Sequence, residues 1–336
     1  MEAADAARHL AEIAYRLRLK EDPYRARAFS TAAYGVLRQR PDLGRLHAGG
    51  RLESLAGVGK GIAKVLGDIV ENGGSAYLDR LREETGEPHR GPPTSTLDFR
   101  AYQGDVHSHS TWSDGKATVL EMACAARERG YRYLAVTDHS PRIPMVHGLG
   151  PERLAAQREE IARAQAEVAD VQILRGIEVD INEDGSLDLP DDALAELDVV
   201  IASPHAGLRM DASAQTERML RAIEHPHVDI VGHPTGRRPG ARKGATYDVE
   251  RVFRRAAECG VALELDADPG RVDLSPEHAR LAADLGCRFT FDSDAHAPVE
   301  LLSVELGLWC PQLADLPPDR ILNWLPAADL RRTLRR

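Results

Sequence analysis

The sequence predicts a seven-stranded parallel α/β barrel carried behind a small all-helical domain. Three observations predict it. Apolar residues recur at helical spacing through the first 84 residues. Beyond residue 97, seven short β-branched or apolar runs alternate with amphipathic stretches, as repeated strand–helix units around a parallel sheet require. Between the two lies TGEPHRGPP (residues 85–93), whose Gly and Pro content makes it a linker. The expected boundaries are a helical domain at 1–84, a linker at 85–96 and a barrel domain at 97–336.

Each element follows in order. Ala7, Leu10, Ile13, Ala14 and Leu17 mark one apolar helix face, and Ala28, Ala32, Ala33, Val36 and Leu37 a second. Pro23 stands in a first helical turn, where the missing N–H needs no partner. Pro41 ends the second helix. Strands are expected around Val106 and at 133–137, 172–179, 198–202, 228–232, 261–265 and 288–292. Helices are expected at 117–129, 151–169, 213–224, 248–258 and 276–285.

Composition narrows the class. The chain has 336 residues, 43% apolar and 29% charged, as in an ordinary globular protein of two domains. No apolar run approaches the ~18 residues of a membrane span, and the charged start MEAADAARHL is not a secretory signal. Cys124, Cys259, Cys287 and Cys310 show no C-x-x-C spacing, so a cytoplasmic protein without disulfides is expected. The net charge of -10 is uneven: residues 1–90 hold 15 Lys+Arg against 13 Asp+Glu, and the remaining 28 against 40. Acids that bind cations would offset part of that excess, so net charge alone does not exclude nucleic acid.

The histidines carry the chemistry. His107 and His109 stand in GDVHSHSTWSDG, with Asp114 five residues on. His139 stands in VTDHS, Glu178 in RGIEVD, His205 in ASPH, His233 in GHPTGR, and Asp294 and His296 in DSDAH. All follow expected strands, and in a barrel the strand C-termini open on one face. Six imidazoles and three carboxylates, with no thiolate, suit zinc, manganese or iron. Nine such groups exceed the needs of one ion and suffice for two or three. No G-x-S-x-G marks a serine nucleophile.

The series H-x-H, S-D-G, T-D-H, G-I-E, S-x-H, G-H-P-T-G-R and D-A-H resembles the polymerase-and-histidinol-phosphatase (PHP) family, in that family's order, over about residues 97–330. The resemblance implies a distorted seven-stranded barrel with a cluster of divalent ions, zinc or manganese with iron admissible. His107, His109, Glu178 and Asp294 would hold one ion; Glu178, His205 and His233 a second, with Glu178 bridging; Asp114, His139 and His296 the third. Hydrolysis of a phosphate ester by a metal-activated water would follow, with Glu178 central and Arg237 and Arg271 as phosphate clamps. Asp266-Ala267-Asp268 imitates a polymerase D-x-D pair, but its place at a barrel strand end makes it rim or supporting structure.

In the helical part, LAGVGKGIAKVL (residues 55–66) reads as a helix-hairpin-helix. Gly57, Gly59 and Gly61 free the backbone for a tight turn, and Lys60 and Lys64 add charge beside a DNA phosphate. With DPYRARAFSTAAYGVL, the segment resembles the small domain that begins family X DNA polymerases. The Schiff-base lysine of some members falls here on Val65, with Lys64 one residue before it, so no lyase activity is expected. Bacterial family X polymerases resemble this chain at both ends, with a polymerase palm between them. The leading expectation is a DNA phosphoesterase: a 3′-5′ exonuclease, 3′-phosphatase or abasic-site endonuclease. A phosphatase for a small ester such as histidinol phosphate is the alternative. Neither a membrane nor an obligate protein partner is expected.

Overall fold

The computed structural model describes residues 1–86 and 97–334; most of the expected linker, residues 87–96, lies outside the described residues. Five helices come first: α1 (Ala3–Leu19), α2 (Pro23–Gln39), α3 (Leu43–Ala48), α4 (Lys60–Asn72) and α5 (Ala76–Glu84). The Asp22 carboxylate accepts the Arg25 N–H at the start of α2, and Arg40, left-handed at φ 43°, stops it by donating its N–H to Val36. One expected core position is wrong: Ala28 is exposed, and Ala26 and Phe29 turn inward instead. An alanine contributes so little apolar area that spacing alone cannot assign its face.

Seven strands follow: β1 (Gly104–Asp105), β2 (Tyr133–Val136), β3 (Gln172–Asp180), β4 (Val199–Ser203), β5 (Ile230–Val231), β6 (Ala262–Asp266) and β7 (Phe289–Asp292). They pair in parallel in sequence order. Between and after them lie α6 (Val119–Glu128), α7 (Pro151–Glu167), α8 (Asp191–Ala195), α9 (Ala212–Glu224), α10 (Val249–Cys259), α11 (Pro276–Asp284), α12 (Ser303–Gly307), α13 (Trp309–Leu313) and α14 (Ala327–Leu334). The last three and α8 were not anticipated.

The closure between β1 and β7 is irregular. Beyond the strand ends a single bridge joins Ser108 to Ala295. Below it, the Asn323 side chain donates to Gly104 O and Asp292 Oδ1 and accepts the Phe291 N–H. Side chains alternate along each strand. Leu263, Leu265, Phe289 and Phe291 join the outer core under the helices, whereas Tyr133, Ala135, Leu174, Ile201 and Ala262 fill the barrel with Leu330 and Leu334 of α14. The same period places Glu178 and Asp180 on the inner face of β3 and Glu264 and Asp266 on that of β6.

The helical domain is fused to the barrel. Its apolar core includes Val272, Leu302, Leu306 and Trp309 from the barrel side. Tyr15 packs on Trp309 with ring centroids 5.1 Å apart, Arg40 pairs with Glu305 at 2.9 Å, and the Tyr34 and Ser303 hydroxyls lie 2.6 Å apart.

Candidate metal centre

All nine expected ligands converge above the barrel's C-terminal end. His107 Nε2 lies 3.5 Å from Glu178 Oε2 and 3.6 Å from Asp294 Oδ1. His109 Nε2 lies 3.6 Å and 3.0 Å from the same two oxygens. Glu178 Oε1 faces a second group, His205 Nε2 at 3.1 Å and His233 Nε2 at 2.8 Å. Asp114 Oδ1 faces a third, His139 Nε2 at 3.6 Å and His296 Nε2 at 3.4 Å. His139 also joins the groups, its Nδ1 being 2.8 Å from Glu178 Oε2.

These separations fit cations. Ligand atoms about 2.0–2.1 Å from a tetrahedral ion stand roughly 3.3 Å apart. His107 Nε2 and Glu178 Oε2 are buried without a hydrogen-bond partner, a state costing about 1–3 kcal/mol per group unless something satisfies it. Four overlapping sets of His, Asp and Glu offer ligand atoms within 4.8 Å of one another. Burial pushes the His107 and His205 imidazoles down, but neighbouring carboxylates outweigh it, Glu264 and Glu178 for His107 and Glu178 and Asp180 for His205. They raise His107 well above its usual value and His205 to about 10, so a cation binds there by displacing a proton. Burial pushes the Glu178 carboxyl up, but the imidazoles of His205, His139 and His107 outweigh it and hold it well below the carboxylate range. Burial, with His296 and His139 nearby, pushes His109 down to about 3, so it is neutral as a ligand must be.

Backbone geometry also marks the site. His233 and Asp294 take left-handed φ values of 25° and 50°, the kind of local strain that collects at functional positions.

Supporting residues missed in the sequence complete the centre. Glu264 Oε1 lies 2.5 Å from His107 Nδ1, and its Oε2 accepts the His233 N–H at 2.5 Å. Asp180 Oδ1 lies 3.2 Å from His205 Nδ1. Asp138 accepts from Ser110, Ser113 and Gln157, fixing the turn that carries His109 and Asp114. The signal was present: a carboxylate on the inner face of the apolar run VALELD has no reason to be buried unless it is partnered.

The expected clamps behave differently from expectation. The Arg237 guanidinium donates to the Val272 carbonyl and, at 3.1 Å, to the Tyr15 hydroxyl, and it stacks 5.6 Å from the Tyr15 ring centre. It therefore ties the barrel to α1. A carbonyl and an aromatic face beside it offered a satisfied burial that no local motif could reveal. Arg271 is buried between Asp266, 3.0 Å away, and Asp294, 3.2 Å away, so it positions a candidate ligand. Asp266 thus supports the centre, and Asp268 Oδ1 accepts the Gly270 N–H.

In the hairpin, Gly57 has φ 81°, and Gly59 precedes α4 at its N-terminus. A Cβ on Gly57 would stand 3.1 Å from Thr31 Cγ2, while Gly59 and Gly61 face open space. Lys60 and Lys64 are exposed, and Val65 is buried. The four cysteines are free. Among the described residues no helix is long and apolar enough to cross a membrane.

Residues 105–266 match the PHP domain and residues 1–75 a helix-hairpin-helix domain. A probable phosphatase of Caldanaerobacter subterraneus subsp. tengcongensis is 30% identical over 65% of this chain and 86% of its own length. The chain belongs to the PHP family. The DNA polymerase/3'-5' exonuclease PolX of Bacillus subtilis is 39% identical to this PHP protein over 71% of the chain, which spans only 42% of that relative's length. A structure of histidinol phosphate phosphatase from Lactococcus lactis, complexed with zinc, L-histidinol and phosphate, superposes with a TM-score of 0.47 at 18% identity, over 63% of this chain and 92% of that one.

Proposed function

We propose that this PHP protein, a hydrolase of phosphate esters, acts on DNA as an exonuclease, 3′-phosphatase or abasic-site endonuclease. The observation that carries the DNA reading is one cavity of about 820 Å³, lined both by Gly57 of the hairpin and by Asp114, Asp294 and His296 of the centre. The edge of the hairpin, at Ala56 and Gly57, thus borders the same space as the cluster.

Two or three zinc or manganese ions, with iron admissible, would supply a hydrolytic water and take up charge on the phosphoryl oxygens. His107, His109, Glu178 and Asp294 would hold one ion, Glu178, His205 and His233 a second, and Asp114, His139 and His296 a third. The chain's own task is to keep these groups fixed. Arg271 holds Asp294, and Glu264 and Asp180 orient His107 and His205 around the fully buried Glu178.

The test is hydrolysis, with manganese, of 3′-phosphate DNA, gapped DNA and histidinol phosphate, with elemental analysis of protein purified without chelators. DNA should be the preferred substrate by kcat/KM, with two or three ions per chain. The similarity of the barrel alone to a probable phosphatase favours a second reading, a phosphatase for a small ester. Preference for histidinol phosphate would decide for that reading.

A further inference from the structure

The cavity described above has a positive wall that the metal centre does not explain. Arg38 of α2, Lys116 after β1 and Arg238 after β5 line it. All three are exposed, and their side chains make no ion pair or hydrogen bond with the described residues. The acids of the cavity are committed. Asp114 and Asp294 belong to the ligand groups, Asp268 accepts the Gly270 N–H at 2.9 Å, and Glu300 accepts the His296 N–H at 2.8 Å. With cations in the cluster, three cationic side chains from three separate segments of both domains face a ligand, against the carboxylates of Asp268 and Glu300, each held by a backbone N–H.

We propose that this interdomain cleft holds the single-stranded end of the DNA, with Arg38, Lys116 and Arg238 pairing its phosphates, so that the helical domain forms part of the phosphoesterase site itself. This rests on the DNA reading above and goes further, naming the strand form and the residues. Size supports a single strand. At about 820 Å³, the cleft falls within the ~300–1,000 Å³ of small-ligand sites, which suits a few nucleotides of one strand and not a stacked duplex. Contacts with the barrel hold the wall in place. Tyr34, on the same helix as Arg38 and itself lining the cavity, is pinned to Ser303, and Arg40 is pinned to Glu305. A duplex end must therefore fray to enter, and the strand that enters crosses α2 on its way to the ligands.

The experiment measures binding of a fluorescent single-stranded oligonucleotide and of its blunt duplex to the full-length protein, with and without chelator. A hydrolysis-resistant phosphorothioate oligonucleotide, bound with manganese present, reports the cleft independently of hydrolysis. Chelated protein should bind it more weakly, because Asp114 and Asp294 then face the phosphates uncompensated. The intact protein should prefer the single strand. Arg38→Ala, Lys116→Ala and Arg238→Ala should each weaken single-strand binding about three- to tenfold. Each should also flatten the slope of log K against log salt by about 0.7, the value for one lost phosphate contact on a single strand. Arg38→Lys should restore most of the loss, and Arg254→Ala, whose partner is Glu250 on the outer face of α10, should change nothing. If the intact protein binds DNA but Arg38→Ala leaves affinity and salt slope unchanged, the cleft assignment falls and the DNA reading stands. If the intact protein binds no oligonucleotide, both fall. Tighter binding of the blunt duplex overturns the single-strand assignment.

Discussion

Glu264→Gln tests the centre through a residue that touches no ion. The carboxylate accepts on both sides, with His107 Nδ1 2.5 Å from Oε1 and the His233 N–H 2.5 Å from Oε2. When His107 Nε2 ligates a cation, its ring proton sits on Nδ1 and Glu264 must accept it. An amide presents one acceptor and one donor. If its oxygen serves His107, its NH2 opposes the backbone N–H of His233, leaving two buried donors unsatisfied. If it is flipped, its NH2 faces His107 Nδ1 and favours the tautomer whose Nε2 is protonated and cannot ligate. Either arrangement costs about 1–3 kcal/mol, which at 1.4 kcal/mol per factor of ten is about five- to 150-fold. We predict that Glu264→Gln weakens manganese activation of hydrolysis by about 10–100-fold and lowers the metal retained after gel filtration. The variant is close to isosteric, so circular dichroism should be unchanged. An apparent metal affinity within twofold of the intact protein would refute the tautomer argument.

Glu178→Gln should abolish hydrolysis and remove more than one ion per chain, because Oε1 and Oε2 face different histidine groups; Asp114→Asn should lose one ion and retain more activity, and elemental analysis that finds the reverse order would refute the assignment of groups. A separate prediction concerns Glu12, buried against Arg16 at 2.8 Å and Arg82 at 2.6 Å. Burial raises its carboxyl, but the two guanidiniums outweigh it and hold it below 4.5. A depressed carboxylate contributes stability above its unfolded value of 4.5, and that contribution disappears as pH falls through the lower folded value. Glu12→Ala should therefore cost about 3–5 kcal/mol at pH 7 by removing the buried carboxylate that both guanidiniums share, with the gap to the intact protein narrowing below pH 4.5; a gap that stays constant down to acid would refute this.

The barrel and its ligand face were legible in the sequence because both are local patterns. A parallel strand buried on both sides reads as a short apolar run, and the ligands follow such runs directly, as His139 follows β2 and His205 follows β4. Parallel strands in sequential order send every C-terminus to one face, so the ligands of residues 107–296 needed no further information to converge. What escaped had its reason in contacts distant in sequence. Asn323 completes the seam between β1 and β7 from more than 200 residues beyond Gly104, and nothing in its own segment announces that. Arg237 carries a motif arginine's neighbourhood, yet its guanidinium is committed to Val272 and Tyr15. The linker's composition marked a boundary between two domains, but Leu306 and Trp309 are buried in the helical domain's core. Apolar side chains pack wherever the chain brings them, and a one-dimensional pattern records which faces must be buried, not against what. The sequence by itself determined the strands, most of the helices and the nine candidate ligands, because each depends on a residue's near neighbours. Only tertiary structure decided that α2 and the hairpin stand as one wall of the cleft above those ligands, because that depends on which apolar faces meet.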